Sequence, residues 1–188
     1  MKNAMRIFLA ILCLLCLALF TSCERAQLMQ TDELEAIYAE NRELLETAAD
    51  AIQAAFADAD LPGEGWTNCW IYREGGIAWI EEPDVVRGSL CFYTSYYHEP
   101  GKADSREFEL TEALCDELYP AVEPLFSASV VDRIFRSDRS IQFIVYSEWG
   151  WEAFIAFQPK GGEPSGSFSE GLTIKEIAPN WWAVTDHD

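Results

Sequence analysis

An α+β fold, with antiparallel sheet packed against helices on one side, is what this sequence predicts, and three observations predict it. A long amphipathic stretch begins near residue 32, and two groups of short apolar runs rich in β-branched and aromatic residues follow, separated by a second amphipathic stretch. Short Gly-, Pro- and Asp-bearing turns join the runs within each group, which suits hairpins and leaves no room for parallel crossovers. The composition can sustain such a core: 188 residues, 49% hydrophobic, 13% aromatic and 24% charged. It excludes a disordered acidic tail, a collagen-like or coiled-coil rod and a cysteine-dense scaffold.

Taken in order, Asp32-x-x-Glu35 is a capping box that opens the first helix. Leu34, Ile37, Tyr38, Leu44, Leu45, Ala48, Ile52, Ala55 and Phe56 recur at spacings of three and four, which places them on one stripe. Glu40, Arg42, Glu43, Glu46 and Asp50 form the solvated face, and the Leu61-Pro62-Gly63 break ends the helix near Asp60. Trp66 to Arg73 and Gly76 to Glu81 are expected as a hairpin across Glu74-Gly75, with Ser89 to Tyr97 as the third strand. His98 to Lys102 is a loop. Thr111 caps a second helix through Leu114 and Leu118, with Pro120 expected to end or kink it near Tyr119.

The second group of strands comprises Ser129 to Arg136, Ser140 to Ser147 and Glu152 to Gln158. A hairpin of Leu172 to Ile177 and Trp181 to Thr185 closes the chain across Pro179-Asn180. The predicted order is two α-βββ halves, 32–97 and 111–158, plus a C-terminal hairpin. No long linker divides them, so residues 32–188 form a single domain.

The preceding segment has a different character. Lys2 and Arg6 precede an apolar run from Ile7 to Phe20. About 14 helical residues span only about 21 Å, short of the roughly 30 Å hydrocarbon core, so the segment is a secretory signal and not a stable span. Leu19-Phe20-Thr21-Ser22-Cys23 resembles the lipobox of bacterial lipoprotein signal peptides, with Phe20 where that pattern usually has leucine. The resemblance implies cleavage of residues 1–22, acylation of Cys23 and attachment to the outer face of a membrane of the cell envelope. Residues 23–31 then serve as lipidated N-terminus and tether. Two or three acyl chains anchor firmly where a single chain is marginal.

The whole chain carries a formal charge of −19, with 32 acidic residues against 13 basic ones. Loss of residues 1–22 removes Lys2 and Arg6 and makes it about −21. Such a surface repels phosphate backbones and anionic lipids, so nucleic acid is excluded as a partner and the acyl chains must hold the membrane.

Cys69, Cys91 and Cys115 follow the leader, an odd number that permits one internal disulfide. Cys69 and Cys91 lie in expected strands and are the candidate pair; the alternative is three buried thiols. No metal site is expected. No zinc spacing occurs, and Asp58 to Cys69 fails as a calcium loop because Pro62 and Cys69 stand where ligands are required.

No catalytic residue and no cofactor is assigned. Histidine is limited to His98, in a loop, and His187, at an end expected to fray; there is no nucleophile elbow, phosphate loop or dinucleotide fingerprint. Glu81-Glu82, Asp116-Glu117 and Glu148 with Glu152 are the candidates for carboxylate chemistry on a glycan, and the last pair, flanking Trp149 and Trp151, suits it best. Aromatic residues supply the candidate ligand-binding set: Trp149, Trp151, Trp181, Trp182, Tyr96 and Tyr97. Trp181 and Trp182 are adjacent on a strand and face opposite sides. The sequence therefore favours a non-catalytic binding domain for a protein, peptide or glycan. An inhibitor or decoy for cationic proteins and a carboxylate-dependent glycan-processing enzyme are the alternatives.

Overall fold

The computed structural model describes residues 29–58, 66–97, 111–148, 150–166 and 171–187, with the side chains of residues 58, 66, 67, 96 and 97 left out. The signal peptide, Cys23 and His98 lie outside these residues. Within them the fold is α+β. Helix α1 (Thr31–Asp58) is followed by β1 (Trp66–Arg73), β2 (Val85–Arg87) and β3 (Leu90–Tyr97). Helix α2 (Glu112–Ser127) leads into β4 (Arg133–Arg136), β5 (Ile141–Glu148) and β6 (Trp151–Phe157), and β7 (Thr173–Ala178) and β8 (Trp181–His187) close the chain. The eight described strands form one antiparallel sheet in the order β2-β3-β1-β4-β5-β6-β8-β7.

Both helices lie on one side of this sheet. Leu34, Leu45, Ile52, Leu118, Leu125 and Phe126 from the helices pack on Ile71, Phe92, Ile134, Phe143, Ile155 and Trp181 from the strands. Complete burial of a phenylalanine or leucine contributes about 1.5–3 kcal/mol, so this layer supplies most of the stabilisation. The halves are joined edge to edge by β1 and β4, but they are not wired alike. The first runs β2-β3-β1, while the second is a simple β4-β5-β6 meander.

Helix α1 starts two residues earlier than the Asp32–Glu35 box implies. Glu33 accepts the backbone N–H of Gln30 at 2.9 Å, while Asp32 and Glu35 both take the ammonium of Lys175 on β7 at 2.6 Å. The two acids thus fasten the helix to the far end of the sheet, and they raise the Lys175 pKa through those hydrogen bonds. Asn41 leaves helical geometry at φ −117°, and its side-chain amide donates to the Ile37 carbonyl at 2.9 Å, replacing a ladder bond at the kink.

Helix α2 opens as expected, with Thr111 Oγ1 accepting the Leu114 N–H at 3.3 Å. It does not stop near Tyr119. It continues through Pro120 and Pro124 to Ser127 because the next turns bury Val122, Leu125 and Phe126. That burial outweighs the cost of two interior prolines, about 3 kcal/mol each from the lost N–H and the ring clash together. Ser129 then takes a left-handed conformation at φ 55°, and the Val130 N–H returns to the Leu125 carbonyl at 2.9 Å to close the helix. Arg87 pairs with Asp116, tying α2 to the edge strand and lowering the Asp116 pKa.

Residues 76–81, expected as a strand, are turn and loop. Gly75 at φ 77° swings the chain out of the sheet plane, and Ile77 and Ile80 pack down onto Tyr72, Cys91, Trp70 and Tyr93. Asp84 secures the return of this loop by accepting from the Thr94 N–H at 2.9 Å and hydroxyl at 2.6 Å. The three-residue β2 takes the place of the expected strand.

The Cys69–Cys91 disulfide is also corrected. In the β1–β3 register Cys69 pairs with Thr94, and Cys91 pairs with Tyr72, three residues further along β1. An odd offset places the two thiols on opposite faces: Cys69 belongs to the helix-side core and Cys91 to the cluster under the loop. All three described cysteines are free and buried, and burial raises each thiol pKa, that of Cys115 to about 12. Alkylation at pH 8 followed by peptide mapping is expected to leave Cys69, Cys91 and Cys115 unmodified in the folded protein. In denaturant all three are modified. Labelling of any of them at the rate of a free thiol under native conditions contradicts this packing.

Candidate binding face

Strand alternation sends a second set of side chains to the face opposite the helices. Trp70 and Tyr72 come from β1, Cys91 and Tyr93 from β3, and Arg133 and Phe135 from β4. Ile144 and Ser147 from β5, Glu152 and Phe154 from β6, and Trp182, Val184 and Asp186 from β8 continue it. Ile144, Phe154, Ala156 and Val184 are buried, with Trp70, Phe135, Ile174 and Trp182 packed around them.

A chain of aromatic contacts crosses this face. Phe135 lies 4.3 Å from Trp70 between ring centroids, and Trp79 of the 74–84 loop meets Trp70 edge-on at 5.9 Å and Tyr93 at 6.1 Å. Trp79 is the most exposed large apolar side chain among the described residues, at 62%. Its indole is therefore held from beneath by two rings and presented to solvent. A rigid, half-supported aromatic surface of this kind offers contact area at little conformational cost.

Beside the rings lies a charged centre. Arg133 sits 5.9 Å over Trp70 and donates to Glu152 at 2.6 Å and to the Ser147 hydroxyl at 2.5 Å. The pair is only 19% and 13% exposed. Asp186, fully buried, stands opposite Glu152 in the β6–β8 register. A charge pair so far out of water requires close geometry to offset its desolvation, and the short bonds to Arg133 supply it.

The structure sorts the residues singled out in the sequence. Trp181 is not a surface ring: it is 5% exposed and packs in the helix-side core against Tyr38, Phe143 and Phe157 at 5.1, 5.8 and 4.9 Å. Trp182 faces the other way and borders the candidate face, half-buried. Trp151 is 8% exposed and stacks flat on His187 at 4.9 Å. His187 is consequently no frayed end: it is the last β8 residue, paired with Trp151 and seated where a side chain on Gly171 would collide with its ring. Trp149 and the side chains of Tyr96 and Tyr97 lie outside the described residues. Glu148 pairs with Trp151 and Glu152 with Ser147, so the two carboxylates point to opposite faces and do not flank one substrate.

Trp70, Trp79, Phe135 and Arg133 are the face residues that sequence patterning did not bring forward. Trp70 alternates with Cys69 and Ile71, which puts it on the opposite face from them, but the pattern does not mark which face the helices cover. Trp79 had no signal, because its place depends on how the 74–84 loop folds. Among the described residues no group of three or more His, Cys, Asp or Glu is arranged to hold a metal ion, and no helix is long and apolar enough to cross a membrane. No family model matches this chain, and no curated protein or solved structure matches it either.

Proposed function

We propose that this chain is a lipid-anchored binding domain of the bacterial cell envelope, held by Cys23, whose face around Trp79 docks cationic peptides or proteins. The observation that carries the reading is the Trp79 ring, 62% exposed yet held edge-on by Trp70 and Tyr93. The formal charge of −19 supplies the choice of partner. An acidic surface steers cations toward it, and an arginine or lysine that arrives gains about 0.5–2 kcal/mol over an indole face. No catalytic step is invoked, because the expected Glu148–Glu152 pair is split across the sheet.

The test is a binding titration of the full-length chain in non-ionic detergent, with an arginine- and lysine-rich peptide as probe and a neutral oligosaccharide as the comparison. The peptide is expected to bind with an affinity that falls as salt rises, and Trp79→Ala is expected to weaken it about tenfold with little change in thermal stability. Saturable oligosaccharide binding that ignores salt and is lost in Trp79→Ala would transfer the face to a glycan. Separately, metabolic lipid labelling should disappear in Cys23→Ala, and persistent labelling overturns the anchor.

A further inference from the structure

The eight described strands leave two outer edges, β2 and β7, and the two are finished differently. At β7, Lys175 is drawn onto Asp32 and Glu35 of α1, and the register against β8 shifts between Glu176 and Ala178, an irregularity that blunts the edge. At β2 neither device is present. Its register with β3 is regular from Val85 to Arg87, and the hairpin closes in two residues, Gly88 and Ser89.

In a hairpin of that length the residues closing the turn, Arg87 and Leu90, exchange their backbone hydrogen bonds. Val85 and Phe92 then do the same, and Val86 between them points its N–H and C=O away from β3. Thr94 has the same phase: two residues beyond Phe92, it turns its N–H toward the β2 side, where Asp84 accepts it. Val86 is 53% exposed and stands opposite Cys91, so its side chain lies on the face that carries Trp79. The strand itself is held in place. Asp84 secures its start to Thr94, Arg87 ties its end to Asp116, and a side chain on Gly88 would collide with the Tyr119 ring of α2.

Charge indicates what fits this edge. On the helix side Glu112 and Asp116 both act on Arg87, two acids against one base. On the other side Glu81 and Glu82 are exposed on the segment between Trp79 and β2. A strand laid along β2 sends its side chains alternately to these two sides. Resting on the reading of the Trp79 face as a dock for cationic peptides, we propose that the peptide binds extended, as an added outer strand beside β2. Its backbone pairs with Val86, and its basic side chains reach alternately toward Glu81 and Glu82 and toward Glu112 and Asp116. A second copy of this chain brings the same acids to the same edge and is repelled by them.

The test is a titration of an arginine- and lysine-rich peptide onto the full-length chain in non-ionic detergent, comparing wild type, Val86→Pro and Val86→Thr. Proline at this position removes only an outward N–H, and an outer strand is where a sheet admits it, so the fold is expected to persist. Val86→Pro is expected to weaken the peptide about tenfold, and Val86→Thr to stay within about twofold of wild type. The same peptide N-methylated at every residue keeps its charges and is expected to bind the wild type about tenfold more weakly. By NMR, exchange of the Val86 amide is expected to slow at least about tenfold when the unmodified peptide binds, while the Val85 and Arg87 amides, already bonded to β3, change little. These last two readouts use the wild-type chain and hold whether or not the proline variant folds. Unchanged affinity in folded Val86→Pro, an equally tight N-methylated peptide or an unprotected Val86 amide overturns strand addition. If Trp79→Ala still weakens the peptide in that case, the Trp79 reading stands without it. No peptide binding to the folded wild type overturns both. Cross-linked dimers of the chain alone that vanish in Val86→Pro assign the edge to a second copy and overturn the proposal as well.

Discussion

Arg133→Met is expected to lower the unfolding free energy by about 3–5 kcal/mol, a large part of the roughly 5–15 kcal/mol that holds a domain of this kind together. The reason is what it leaves behind. Glu152, 13% exposed, loses its 2.6 Å partner, and fully buried Asp186 stands opposite it on the next strand. Two carboxylates then share one face of the sheet with the Arg133 charge removed from beside them. Methionine fills much of the same volume beside Trp70, so a lost cavity is a minor part of the effect. The double variant Arg133→Met with Glu152→Leu separates charge from packing. It is expected to recover most of the loss, because two apolar groups of matching volume carry no desolvation penalty. Urea unfolding monitored by tryptophan fluorescence gives all three stabilities. A single variant within about 1 kcal/mol of wild type, or a double variant no better than the single, shows that the Arg133–Glu152 pair is not what organises this face.

Legibility in the sequence followed the strength of the periodic signal. The 28-residue α1 was readable almost to its ends because its apolar stripe, Leu34 to Phe56, repeats over about six turns of helix-spaced residues. Its capping box lies two residues before the expected one since Gln30, Asp32, Glu33 and Glu35 all fit a capping role locally, and only the distant Lys175 decides which acids are taken. Residues 76–81 looked like a strand for lack of length: Ile77 and Ile80 support a strand or a folded loop equally, and the choice is made by the Tyr72–Cys91 surface beneath them. Of the two outcomes expected at Pro120, the helix end does not occur, because burial of Val122, Leu125 and Phe126 lies beyond any local rule.

The site was less legible than the fold for a related reason. Both faces of β1 are apolar, Cys69 and Ile71 on one and Trp70 and Tyr72 on the other, so no polar side marks which face is covered by helices. The same ambiguity hid the true relation of Cys69 to Cys91. Each belongs to a plausible strand, and only the register of β1 against β3 reveals that their offset is odd. A face that is aromatic and partly covered by its own loop is where binding function and core packing use the same residue types. Composition cannot distinguish them.

Trp181 and Trp182 show that distinction as an expected result. Trp181→Ala should cost about 3–5 kcal/mol, the range for removing a large aromatic ring from a packed core. Its indole touches Tyr38 on α1, Phe143 on β5 and Phe157 on β6, with centroids between 4.9 and 5.8 Å, so its loss opens a void between helix and sheet that none of three rings can fill alone. Trp182→Ala should cost distinctly less. That ring is half-buried at the border of the opposite face, and its indole N–H is buried without a hydrogen-bond partner among the described residues, so truncation also removes an unsatisfied donor. The ordering is sharper than either magnitude, since both changes remove the same atoms from adjacent positions of one strand. Guanidinium unfolding of the two variants side by side measures it directly. An equal loss, or a larger one at Trp182, would place the dominant core on the face that carries Trp79 and remove the ground for proposing that face as a binding surface.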